Sequence, residues 1–87
     1  MSIFEFDFGK SELNEKRHEI NFIDAQRIWN DDRLVEIFAR SEDEARFLII
    51  GSVESKLWSA IVTYRNDAIR IISMRRAREE EVQLYES

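Results

Sequence analysis

The stretch AIVTYRNDAIRIISM, residues 60–74, decides the fold. Two runs rich in β-branched and aromatic residues flank Asn66-Asp67, a pair suited to a tight turn. With that pair at the tip of a hairpin, residue 65 faces 68, 63 faces 70 and 61 faces 72. Trp58, Ala60, Val62 and Tyr64 then share one sheet face with Ile69 and Ile71, the face suited to packing under helices. The opposite face carries Ser59, Ile61, Thr63 and Arg65 with Arg70 and Ile72. Upstream, a loop centred on Glu54-Ser55 sets Arg46 opposite Thr63. Arg46, Thr63 and Arg70 would form a row across three strands, a register that a one-residue slip would invert.

The pattern extends in both directions. LVEIFA (residues 34–39) and RFLIIGSV (residues 46–53) are further strand-like runs, joined by short connections, so an antiparallel meander is expected. IFEFDF (residues 3–8) alternates, with Phe4, Phe6 and Phe8 on one side, as a half-buried strand would. Polar, helix-favouring GKSELNEKRHEI follows, with Asp7 as candidate N-cap and Leu13 as its main apolar contact. Asn21 followed by Asp24 resembles a capping box for a second helix, in which Phe22, Ala25, Ile28 and Trp29 share a face. RRAREEEVQLYE reads as a last helix beginning near Arg75, with Val82 and Tyr85 on its buried side. Strand, two helices, antiparallel meander and C-terminal helix make an α+β fold.

Bulk properties narrow the function. The chain has 87 residues and a net charge of −5, which fits a single domain over residues 1–87 with one modest core. Apolar residues make up 44%, which argues against disorder. There is no cysteine and one histidine, so neither a disulfide framework nor a metal site is expected, and no cofactor is implied. The apolar runs are too short to span a bilayer, and the opening residues lack the basic start and long apolar run of a secretory signal. No membrane association and a cytoplasmic location are the resulting expectations. Net acidity opposes broad nucleic-acid binding but allows a local basic site.

The arginines form such a cluster. Arg70, Arg75, Arg76 and Arg78 gather where the last strand leaves the sheet. A helix starting near Arg75 would place cations at the positive end of its dipole, which is unfavourable unless an anion binds there. The alternative is surface pairing of Arg75 with Glu79 and Arg76 with Glu80, four residues apart. His18 has two readings as well: a cation that complements the end of a helix, or a general acid or base suited to neutral pH.

FEFDFGKSELNEKRHEINFIDAQRIWNDD, EARFLIIG and VTYRNDAIRIISMRRAREEEVQLYE, in that order, resemble the BrnT family, toxins of type II toxin–antitoxin systems. The shared features are an aromatic-acidic start, an Asn and a basic-His pair, a Glu-x-Arg strand, an Arg-Ile-Ile-Ser strand with following arginines, and a Glu and Tyr in the last helix. Family members commonly have Lys-His-Gly where this chain has Arg17-His18-Glu19, and often a proline where it has Phe8. The resemblance implies a RelE-like fold and a small ribonuclease that cuts RNA and arrests translation. It also implies a BrnA-like ribbon-helix-helix antitoxin as partner, with operator DNA contacted only through that antitoxin.

On this reading cleavage is metal-independent. A base takes the ribose 2′-OH proton, the oxygen attacks the adjacent phosphate, and a cyclic phosphate and a 5′-OH fragment result. Arg46 and Arg70 would stabilise charge on the phosphate. His18 would be the acid or base, ahead of Tyr64 and Glu36. Arg65, Arg75, Arg76 and Arg78 would grip RNA phosphates from exposed positions. The alternative is a non-catalytic or degenerate toxin-like protein whose arginine patch only docks a protein partner.

Overall fold

The computed structural model describes residues 3–41 and 43–87. The first two residues of the segment read for a signal lie outside them. Strand β1 (Ile3–Glu5) leads into helix α1 (Phe8–His18), then a short helix α2 (Phe22–Ala25) that tightens into a 3₁₀ turn over Gln26–Asn30. Strands β2 (Val35–Ser41), β3 (Ala45–Val53), β4 (Lys56–Arg65) and β5 (Ala68–Arg76) follow, and helix α3 (Glu79–Glu86) ends the chain. The sheet order is β1-β5-β4-β3-β2. The four later strands form the expected antiparallel meander, while β1 joins β5 in parallel, so the sheet is mixed.

Both hairpin turns fall where expected. Arg65 pairs with Ala68 around Asn66-Asp67, and Val53 pairs with Lys56 around Glu54-Ser55. Asn66, Glu54 and Ser55 take positive φ, as tight hairpins require. The helix-facing side of the sheet carries Ile49, Val53, Trp58, Ala60, Val62, Ile69, Ile71 and Met74, all buried against Phe22, Ala25 and Ile28. Gly51 lies under the 3₁₀ turn. A Cβ there would sit 2.7 Å from the Ile28 side chain, so the close approach needs glycine.

Four expectations need correction. First, Ile61 pairs with Ser73, not Ile72, because a bulge follows the Val62–Ile71 pair and leaves Ile72 as the extra residue. Strict alternation would bury Ser73 and expose Met74; the bulge exchanges them, and Met74 becomes fully buried. Second, the N-terminal alternation does not run to Phe8. The strand stops at Glu5, Asp7 caps α1 by accepting from the Lys10 N–H at 2.9 Å, and Phe8 is left exposed. Third, Leu13 is half exposed, and the buried residues of α1 are Ser11 and Asn14. Fourth, the last helix begins at Glu79, not near Arg75, because β5 continues through Arg76.

Asn14 explains the polar seam of α1. β1 covers the outer edge of β5 only as far as Arg70. Further along, the Asn14 carboxamide takes over: its Nδ2 donates to the Met74 carbonyl at 2.8 Å and its Oδ1 accepts from the Met74 N–H at 3.1 Å. Nδ2 also donates to the Ile20 carbonyl at 2.8 Å, which holds the chain leaving α1. Ser11 Oγ accepts from the Phe22 N–H at 2.8 Å and joins α1 to α2. These bonds replace apolar packing along the helix.

Asn14→Ala should therefore destabilise the protein by about 2–4 kcal/mol, because it leaves buried backbone groups of Met74 and Ile20 unpaired. Urea unfolding followed by circular dichroism measures this directly. Glu19 is the opposite case. It is the C-cap of α1 with φ 66, in the left-handed region that favours glycine. Glu19→Gly should raise stability by about 1 kcal/mol in the same measurement.

Candidate functional site

The sheet face away from α1 and α2, which α3 covers at the Ser59–Arg75 end, carries a polar row that crosses all five strands. Glu5 on β1 is paired with Arg70 on β5, and Arg70 with Thr63 on β4. Arg46 on β3 precedes Phe47, the partner of Val62, and so points to the same face as Thr63. Arg40 on β2 pairs with Arg46. A second bulge, between Phe38 and Arg40, turns Arg40 to this side. Neighbouring strands are about 4.8 Å apart, so consecutive members of the row are within reach of one another's side chains.

Thr63 is buried at the centre and donates its hydroxyl to the Ala45 carbonyl at 2.8 Å, holding the start of β3. Arg70 lies 3.6 Å from Glu5, a loose pair with both side chains partly exposed. Arg65 binds Glu44 through two hydrogen bonds, of 2.8 and 3.1 Å. The Glu44 carboxyl is held below its usual range, first by the Arg65 hydrogen bond and further by the charges of Arg65, Arg46 and Arg70. Glu44 thus shares the field of three arginines, and a shallow recess of about 80 Å³ opens between Glu44, Asp43, Arg40 and Arg46.

The arginines after Ser73 do not form the expected anion site. The first turn of α3 carries Glu79, Glu80 and Glu81, not cations. Arg75 is half-buried and binds Glu81 through two hydrogen bonds of 2.7 and 2.8 Å, neither free for phosphate nor paired with Glu79. The same Glu81 Oε1 also accepts from Ser59 Oγ and from the Arg78 backbone N–H, each at 2.8 Å. This closes the start of α3 onto the sheet. Arg76 points to the opposite face, where its guanidinium lies 5.5 Å from the Trp58 ring centroid. Arg78 is exposed at the N-cap of α3.

His18 ends α1 and is exposed. It lines one recess of about 210 Å³ with Arg76 and Trp58, where Glu19, Asp24 and Glu54 are also found. It lines a second with Arg17 and Ser73. Tyr64 lies on the helix-facing side and donates its hydroxyl to Glu36. Burial, reinforced by that carboxylate, raises the Tyr64 hydroxyl well above its usual pKa, which unfits it as a base. The residue that sequence reasoning missed is Glu5. Its place beside Arg70 follows from the parallel pairing of β1 with β5, for which the alternation of β1 gives no signal.

Arginines in register on one sheet face make a surface chemically suited to an anion. The family comparison makes the class specific. The model of the ribonuclease toxin BrnT of type II toxin–antitoxin systems matches residues 6–81. The chain belongs to that family. No curated protein matches the sequence. Among the described residues no helix is long and apolar enough to cross a membrane.

Glu81 supplies a pH test. Arg75, followed by the Arg78 N–H and Ser59, holds its carboxyl at about 2, against an ordinary value of 4.5, despite the opposing effect of burial. The folded pKa is depressed, so the contribution to stability is complete above pH 4.5 and is lost as the pH falls toward 2. Glu81→Gln should cost about 2–3 kcal/mol at neutral pH, because it removes the carboxylate from the half-buried Arg75. The gap between variant and parent should close in acid, as read by denaturant midpoints across the pH range.

Proposed function

We propose that the chain is a metal-independent endoribonuclease with a RelE-like fold that acts in the cytoplasm, cuts RNA, arrests translation and is neutralised by a BrnA-like ribbon-helix-helix antitoxin. Operator DNA is met only through that antitoxin. The observation that carries this reading is the row Glu5, Arg70, Thr63, Arg46 and Arg40 on the sheet face opposite α1 and α2.

The row supports a division of labour. Arg46 and Arg70 flank the buried Thr63 and straddle the scissile phosphate, where they stabilise the charge that grows on its oxygens during attack. Glu5, 3.6 Å from Arg70, accepts the 2′-OH proton. The 2′-oxygen bonds to phosphorus, the bond to the 5′-oxygen breaks, and that oxygen takes a proton from water and leaves as the 5′-OH, while Glu5 returns its proton to solvent. The other product ends in a 2′,3′-cyclic phosphate. Glu5 takes the place that sequence reasoning gave His18, because register holds it next to the arginines. Arg65 steadies Glu44 beside the row and contacts flanking phosphate, and Arg78 remains exposed for the same use.

The test is cleavage of single-stranded RNA by the purified chain in excess EDTA. Cleavage should persist on chelation. Arg46→Ala and Arg70→Ala should each lower the single-turnover rate by about 10²–10³-fold, and Glu5→Gln by about 10²-fold or more. Induction in bacteria should halt protein synthesis, and co-expression of the antitoxin should restore it. Undiminished cleavage by the double arginine variant would remove the row from the mechanism.

A further inference from the structure

Outside the row, one surface combines shape with charge of a single sign. A groove of about 290 Å³ runs between α1 and the outer edge of β5, beyond the point where β1 stops. Lys10, Arg17 and His18 line it from the helix, Ile72 and Ser73 from the strand, and no carboxylate takes part. This happens in a chain with 18 acidic residues against 13 lysines and arginines.

The ordinary explanation covers only part of this. Arg17 and His18 lie in the last turn of α1, where cations complement the helix dipole. Lys10 lies in the first turn, where a cation is disfavoured and where α1 has no acidic residue. Lys10 and Arg17 are two turns apart, about 10 Å, and so face the same way. Neither makes an ion pair with another described residue. Leu13, half exposed between them, offers an apolar floor on which a base can rest.

The groove also adjoins the proposed active site. Arg70 and Ser73 are three residues apart on β5, about 10 Å along the strand. The bulge at Ile72 is the corner between the two surfaces.

We propose that this groove holds the backbone of single-stranded RNA flanking the scissile phosphate, with Lys10 and Arg17 paired to successive phosphates and His18 and Ser73 as hydrogen-bonding groups beside them. The proposal rests on the ribonuclease reading for its substrate and adds a second binding surface to it. Electrostatic contact with phosphates is independent of sequence, so the groove contributes affinity and register but no base preference.

The experiment compares two single-stranded oligouridylates, one just long enough to cross the row and one extended at both ends. Parent protein and a Lys10→Glu, Arg17→Glu variant are titrated with each at several salt concentrations. Arg17→Gln serves as a milder second variant, and circular dichroism checks the fold of both. The parent should bind the longer RNA more tightly. The double variant should lose that gain, about tenfold, and its salt slope on the longer RNA should fall by about 1–1.5, as expected for two lost phosphate contacts. Cleavage of the short RNA should be unchanged. Backbone amide shifts in the parent should move at Lys10, Arg17, His18 and Ser73 when the longer RNA is added. Parent-like affinity and salt slope in both variants would overturn the proposal. So would amide shifts in the groove that respond to the antitoxin but not to RNA. Cleavage of the short RNA by the parent separately decides the ribonuclease reading, because the binding and amide measurements do not need turnover.

Discussion

The structure depends on one carboxamide. Asn14 bonds to both backbone groups of Met74 and to the Ile20 carbonyl, and so uses its two donors and its acceptor in one buried place. It continues, with a side chain, the strand pairing that β1 begins and abandons. Without it the outer edge of β5 would present unpaired polar groups to the interior beneath α1. The position of α1 fixes the chain that enters α2, and α2 with its 3₁₀ turn covers the buried face of the sheet. The helix layer therefore takes its place from a hydrogen-bond pattern and then buries apolar surface.

The two bulges do for the exposed face what Asn14 does for the edge. Each adds one residue to a strand and reverses which side chains point where. In β2 the extra residue brings Arg40 to the side of Arg46. In β5 it carries Met74 into the core and sends Arg75 and Arg76 to opposite faces. Two adjacent arginines thereby acquire unrelated work. Arg75 fastens α3 through Glu81, and Arg76 lies over Trp58. The cluster that looks continuous in sequence is divided in space.

These details mark what could be read in advance. Two-residue turns and alternating apolar residues were enough for the meander, for the buried face and for the common face of Arg46 and Arg70. The polar seam of α1 was not legible, because hydropathy cannot mark a face buried through Ser11 and Asn14. Ile72 gave no sign of being an extra residue, since an isoleucine fits a regular strand as well as a bulge. The start of α3 was misplaced because Arg75, Arg76 and the glutamates after them suit a helix surface, while the pairing of Arg76 with Trp58 keeps them in the sheet. Glu5 escaped notice because its neighbour lies 65 residues away and belongs to a parallel pair.

That separation bears on how the molecule comes into being. β1 and α1 are made well before their partners on β5: Glu5 waits for Arg70 and Asn14 for Met74. Contacts so distant in sequence must overcome the entropy of closing a long loop before they stabilise anything. On a translating ribosome the polar row cannot be completed until β5 has emerged. A chain interrupted within β4 has a hairpin and two unanchored helices, but no assembled row. The parallel pairing of β1 with β5 thus sets the order of assembly: the full row forms only after the hairpin that carries Arg70 has been made.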